Sequence, residues 1–125
     1  IYSPQAKVFF YQEANGICPV LDFLTHESDK RPLVMEHARD RIALLEEHGH
    51  TLRRPHAAPL GDGLYELRWR IGRVQYRILY AFHGQGEAVL LHALTKEGAI
   101  PSSDLIRAQR RKKLFEENPR VHTKP

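Results

Sequence analysis

The chain has 125 residues, the length of one domain, and 42% of them are apolar, enough for a real core. Its formal charge is +4 with eight histidines counted neutral and its pI is near 9.4, so a large partner is expected to be anionic rather than cationic. Cys18 as the only cysteine excludes an internal disulfide and fits a reducing, cytoplasmic setting, and no apolar run approaches the roughly 20 residues needed to cross a bilayer.

No signal-peptide pattern opens the sequence, and its first residue is Ile rather than Met, so the numbering is expected to omit a start or tag segment. "AKVFFYQ", residues 6–12, is rich in aromatic and β-branched side chains and reads as a strand. Cys18 follows between Ile17 and Pro19 and reads as a small buried hydrophobe. "NG" at 15–16 punctuates the chain before "PVLDFLTHE", a short helix opening at Pro19. Pro32 suits the first turn of a longer helix reaching about His48, with Met35, Ala38, Ile42 and Leu45 on its apolar face. Gly49 is a plausible stop, and "HTLRRPHAAPLGDG", with two prolines and two glycines, reads as a surface loop.

"LYELRWRIGRVQYRILY", residues 64–80, alternates apolar and polar residues through two runs joined at Gly72-Arg73. A two-residue turn with Gly first, as a type II′ hairpin prefers, pairs Ile71 with Val74, Trp69 with Tyr76, Leu67 with Ile78 and Tyr65 with Tyr80. On the opposite face it sets Arg68 against Arg77. "HGQG" makes the next loop and "EAVLLHALTK" a third strand, apolar on both faces and so expected to be covered from two sides. "PSSDLIRAQRRKKLFEEN" is a last helix, with Ser102 or Ser103 as N-cap, Asp104 in its first turn and Asn118-Pro119 at its end. The order β-α-α-β-β-β-α describes one α+β domain over residues 1–125, an N-terminal strand and helical hairpin packed on a small, largely antiparallel sheet.

Like charges directly opposite on one face are unfavourable. Two guanidinium forks facing each other would clamp a phosphate; alternatively both are solvated, or paired with Glu66 and other carboxylates. His92 and Lys96 share a face of the third strand. A four-residue loop at 83–86 places His92 beside Arg77, and a five-residue loop turns both His92 and Lys96 toward Ile78. A lone histidine in an apolar strand is more often a hydrogen-bonded core residue than an acid–base group. His48, His50 and His56 crowd one loop, but no metal-binding motif accompanies them, and no metal is expected. Arg107, Arg110, Arg111, Lys112 and Lys113 make the last helix basic, a solvated face or a track for a nucleic-acid backbone. Arg70, Arg73, Arg107, Arg110 and Arg111 are the candidate contacts to RNA or the ribosome.

"FFYQEANGICPVLDFL", "IALLEEHGHTL", "PLGDGLYELRWRIGRVQYRILYAF" and "LLHALTKEGAIPSSDLIRAQRR", in that order, resemble the RelE/HigB superfamily of toxins, closest to its phage-derived, HigB-like branch. "GLYELR" followed by "YRILY" is the most specific part. The resemblance implies a cytoplasmic, cofactor-free and metal-independent endoribonuclease that enters the ribosomal A site and cuts messenger RNA. The products would be a 2′,3′-cyclic phosphate and a 5′-hydroxyl end. It also implies a cognate antitoxin, commonly with a helix-turn-helix domain through which alone operator DNA is bound.

By position, Arg68 matches the basic residue of the "ELR" segment, Arg77 the arginine of "YR", and Lys96 the first basic residue of the exit loop. These three, with His92 as a weaker acid–base candidate, are the expected catalytic residues. The branch commonly has a second lysine where Glu97 stands here, although Pro101 keeps its place. Two other readings remain: a ParE-like toxin that poisons gyrase without cutting RNA, and a non-catalytic module binding nucleic acid or protein.

Overall fold

The computed structural model describes residues 4–125, which form β1 (Lys7–Phe10), α1 (Pro19–Lys30), α2 (Leu33–His48), β2 (Ala57–Gly61), β3 (Leu64–Ile71), β4 (Val74–His83), β5 (Glu87–Thr95) and α3 (Ser102–Glu117). The fold is α+β, with the expected order and one added strand. β2 arises inside the segment read as a surface loop. The sheet runs β1-β5-β4-β3-β2, with β1 parallel to β5 and the other neighbours antiparallel. β2 holds Pro59 because it is an edge strand, where a missing N–H breaks no inner ladder, and its pairing slips between Pro59 and Gly61.

The helical hairpin is set by its prolines. Pro19 opens α1, which continues past the expected Glu27 to Lys30. Arg31, the residue before Pro32, is driven into extended geometry (φ −137°, ψ 96°), and this ends α1 before α2 begins. Gly49, at φ +54°, closes α2 with its N–H on the Leu45 carbonyl. β1 is shorter than the expected strand, and Tyr11 beyond it makes an isolated bridge to Thr123.

The β3–β4 register is the expected one at every pair, from Ile71↔Val74 to Tyr65↔Tyr80. Gly72, at φ +60°, supplies the first turn position that a side chain would resist. One face buries Leu67, Trp69, Tyr76, Ile78, Tyr80 and Leu90 against Val20 and Leu24 of α1 and Val34, Ala38 and Leu45 of α2. Trp69 and Tyr76 stack there nearly parallel, 5.5 Å apart. The other face packs Leu79, Ala81, Val89 and Leu91 against Ala108 and Phe115 of α3. β5 is therefore covered from both sides, as its sequence implies.

Candidate active site

Strand alternation sends Glu66, Arg68 and Arg70 of β3, with Gln75 and Arg77 of β4, to the face that carries α3. α3 packs on Leu79 and Ala81 farther along that face, and the charged end forms the floor of a cleft of about 540 Å³. Its rim comes from Arg54, from Leu60 of β2, from Glu97–Ile100 after β5 and from Leu105 in the first turn of α3. Four arginines and two glutamates line it, so the cleft carries a surplus of positive charge.

Arg68 and Arg77 stand directly opposite each other, as the hairpin register requires. They also share one carboxylate. Glu66 Oε1 lies 3.4 Å from Arg68 Nε and 3.5 Å from Arg77 Nε, and none of these three buried atoms makes a hydrogen bond. At that separation the contact is Coulombic rather than hydrogen-bonded. The expected opposition and the alternative pairing with Glu66 thus occur together: one negative charge is divided between two positive ones. Unsatisfied buried polar groups cost about 1–3 kcal/mol each, a cost that the attraction between these opposite charges opposes.

Backbone bonds hold Arg68 from both sides. Its N–H donates to the His56 carbonyl, 2.8 Å away, and its own carbonyl accepts from Arg41 Nε of α2, also at 2.8 Å. Gln75 donates to the carbonyls of Trp69 and Tyr76, which fixes the floor beside Arg77. Arg77 is 6% exposed and Glu66 5%, whereas Arg68 is half-buried.

The other sequence-predicted residues scatter. Arg70 lines the cleft, but its Nη2 lies 2.8 Å from both oxygens of Glu97, and this hydrogen bonding holds the Glu97 carboxyl below its usual range. Arg73 is exposed on the hairpin turn, and its carbonyl accepts from Arg70. Lys96 is exposed at the exit of β5 and does not line the cleft, although Glu97 beside it does. Arg107 is exposed on α3, and so is Arg110, which pairs with Glu13.

Two expectations are corrected. His92 sits beside neither Arg77 nor Ile78, because a bulge between Leu79 and Tyr80 makes Leu79 its partner on β4. It lies outside the cleft at 7% exposure, with Nε2 2.6 Å from Asp104 Oδ1 and Nδ1 2.9 Å from Arg111 Nη1. An arginine can only donate, so Nδ1 accepts, and the ring proton on Nε2 is given to Asp104. Burial lowers the His92 pKa, against the hydrogen bond to Asp104. Its ring is a buried, hydrogen-bonded link between β5 and α3.

Arg111, expected to face RNA, is 9% exposed: Nη1 donates to the Leu91 carbonyl, and Nε lies 3.4 Å from Glu13. Burial depresses its pKa against the opposing pull of Glu13. The signal was present in the sequence, since Arg111 falls three residues after buried Ala108 and four before buried Phe115. Arg54 was missed, and as a non-periodic loop residue it left no such signal. Among the described residues, no group of three His, Cys, Asp or Glu side chains converges as a metal site would require.

A family model described as "Phage derived protein Gp49-like (DUF891)" matches residues 28–113, from the end of α1 through most of α3. Among curated proteins, none matches the chain significantly. The matched span is well over half of the chain and includes Arg68, Arg77 and Lys96. The chain therefore belongs to the Gp49-like family of phage-derived proteins, a toxin-like family related to RelE/HigB-type toxins.

Proposed function

We propose that this chain is the HigB-like toxin of a toxin–antitoxin pair and that it cuts messenger RNA in the ribosomal A site. The observation that carries the reading is the direct opposition of Arg68 and Arg77 on the floor of a basic cleft, with one buried carboxylate between them. The 2′-hydroxyl of the preceding nucleotide attacks the scissile phosphorus and gives up its proton. The P–O5′ bond breaks, the 5′-oxygen takes up a proton, and a 2′,3′-cyclic phosphate remains. The two guanidiniums stabilise the added charge of the pentavalent phosphate, which is greatest at the transition state. Lys96, one residue from the rim, supplies charge or a proton to the leaving oxygen.

Both carboxylates of the cleft, Glu66 and Glu97, are paired with arginines. That favours a ribosome-dependent reaction, in which the ribosome orients an RNA that the free chain lacks the means to activate. Arg54, Arg70, Arg73, Arg107 and Arg110 supply contacts to RNA or the ribosome. The partner is a cognate antitoxin with a helix-turn-helix domain, which alone contacts operator DNA. The setting is the cytoplasm; no helix among the described residues is long and apolar enough to cross a membrane.

The test is to induce the chain in a host and map transcript 5′ ends, with and without the adjacent gene and with Arg77→Ala. In-frame cuts that vanish in the variant and on co-expression of the neighbour are expected. Intact transcripts with DNA damage would replace this reading with gyrase poisoning, and harmless expression would leave only a binding module.

A further inference from the structure

We infer that Glu66 is a positioning residue, which turns the Nε edges of Arg68 and Arg77 toward itself so that both forks present their Nη groups to one phosphate. The inference rests on the proposed cleavage of RNA and adds a residue that the reaction itself does not require.

The placement follows from the sheet. Glu66 is two residues before Arg68 and so on the same face of β3. It pairs with Leu79, two residues beyond Arg77, and is therefore the diagonal neighbour of Arg77 across the ladder. From that position one side chain reaches both guanidiniums. It does so with a single oxygen, 3.4 and 3.5 Å from the two Nε atoms.

A carboxylate recruited only to cancel charge would sit best in a bidentate fork with one arginine. Glu66 instead sits between the two and makes a hydrogen bond to neither. It is also 5% exposed, more deeply buried than the half-buried Arg68 that it steadies. A guanidinium has five N–H donors, so engaging the Nε edge leaves the Nη side of each fork for a ligand. Two long side chains that would otherwise diverge under like-charge repulsion are drawn toward a common point before the phosphate arrives. That is preorganisation.

Removing the charge of Glu66 has two opposed effects. It raises the positive surplus of the cleft by one, which strengthens ground-state attraction for RNA, and it releases the forks, which weakens transition-state contacts. Positioning therefore predicts a split that neither a purely structural nor a purely counter-charge role produces. The test uses the full chain with Glu66→Gln, which keeps the shape of the side chain.

Three readouts are compared with wild type. On mRNA-programmed ribosomes, single-turnover cleavage should fall on the order of 10²-fold. Affinity for a 2′-O-methylated RNA trinucleotide should be unchanged or tighter. The NMR order parameters of the Arg68 and Arg77 Nε–H bonds should fall, because the two forks are no longer drawn to one point. Wild-type cleavage with unaltered Nε–H order parameters overturns the inference, as does cleavage that falls only in proportion to the unfolded fraction. If Glu66→Gln does not fold, Glu66→Asp takes its place: it keeps the charge but cannot reach both arginines, and wild-type behaviour in it overturns the inference equally. Should wild-type protein itself cut no RNA while the Nε–H signals respond as stated, the nuclease reading fails and the positioning contact stands.

Discussion

Arg70 Nη2 lies 2.8 Å from both carboxylate oxygens of Glu97, and so ties the polar face of β3 to the loop that leaves β5. Where the HigB-like branch that the sequence resembles commonly carries a second lysine, this chain places a carboxylate that occupies a cleft arginine. An RNA phosphate bound as proposed must compete with it. Glu97→Gln is therefore expected to tighten binding of single-stranded RNA and to steepen the log–log salt dependence by about 0.7 if Arg70 gains one phosphate. Folding stability should hardly change, because both side chains are exposed and screened. Affinity titrations at several salt concentrations, beside a denaturant melt, check both statements; an unchanged salt slope would mean that Arg70 takes up no phosphate.

Arg77 and Arg68 are not equivalent, although they face each other. The side chain of Arg77 is 7% exposed and that of Arg68 23%, so Arg77 operates where water screens charge least. Lysine keeps the charge but not the planar fork. Arg77→Lys is expected to lower single-turnover cleavage by roughly 10²–10³, the loss of one oxyanion donor. Arg68→Lys should lose less. Equal losses in the two variants would show that burial does not rank them.

Arg111 and Arg107, four residues apart on α3, separate a packing role from an electrostatic one. Arg111 holds the Leu91 carbonyl and His92 Nδ1, whereas Arg107 is exposed. Arg111→Ala should cost roughly 2–3 kcal/mol of stability, the scale of lost hydrogen bonds from a charged donor. The salt dependence of RNA binding by the fraction still folded should not change. Arg107→Gln should leave the urea midpoint in place and, if the α3 face follows an RNA backbone, flatten the salt slope by about 0.7.

The sequence makes these roles legible to different depths. The Arg68–Arg77 opposition was readable because two local rules agree: period-two alternation assigns the faces, and glycine at the first turn position sets the register. β2 was hidden because Pro55, Pro59, Gly61 and Gly63 all signal a loop, and only its place at the sheet edge makes Pro59 tolerable. The surroundings of His92 depended on the bulge at Leu79/Tyr80, a tertiary adjustment that leaves no mark in the alternation of β4 or β5. Arg111 was masked by its neighbours. In a run of four basic residues, composition suggested a solvated face, while the spacing of Ala108, Arg111 and Phe115 already marked one of the four as buried.

The buried position of His92 has a consequence for stability against pH. Its ring faces Asp104 and Arg111 of α3, with Arg107 adding a more distant positive charge. Burial lowers its pKa below the ordinary 6.5; the Asp104 hydrogen bond opposes this, and the two arginines reinforce it. The unfolded chain, with an ordinary histidine, therefore binds the proton more readily than the native chain in the window just below pH 6.5. Stability from this group is complete above that value and is lost as pH falls toward the native pKa, by at most about 1.4 kcal/mol per pH unit. Glutamine can still donate to Asp104 and accept from Arg111, but it does not titrate. His92→Gln is expected to be somewhat less stable than wild type at pH 7.5 and to lose less stability on going to pH 5.5. Urea midpoints at pH 7.5, 6.5 and 5.5 decide the matter: converging curves fit a neutral buried ring, whereas parallel curves would mean that His92 gains its proton as easily in the native protein as in the unfolded chain.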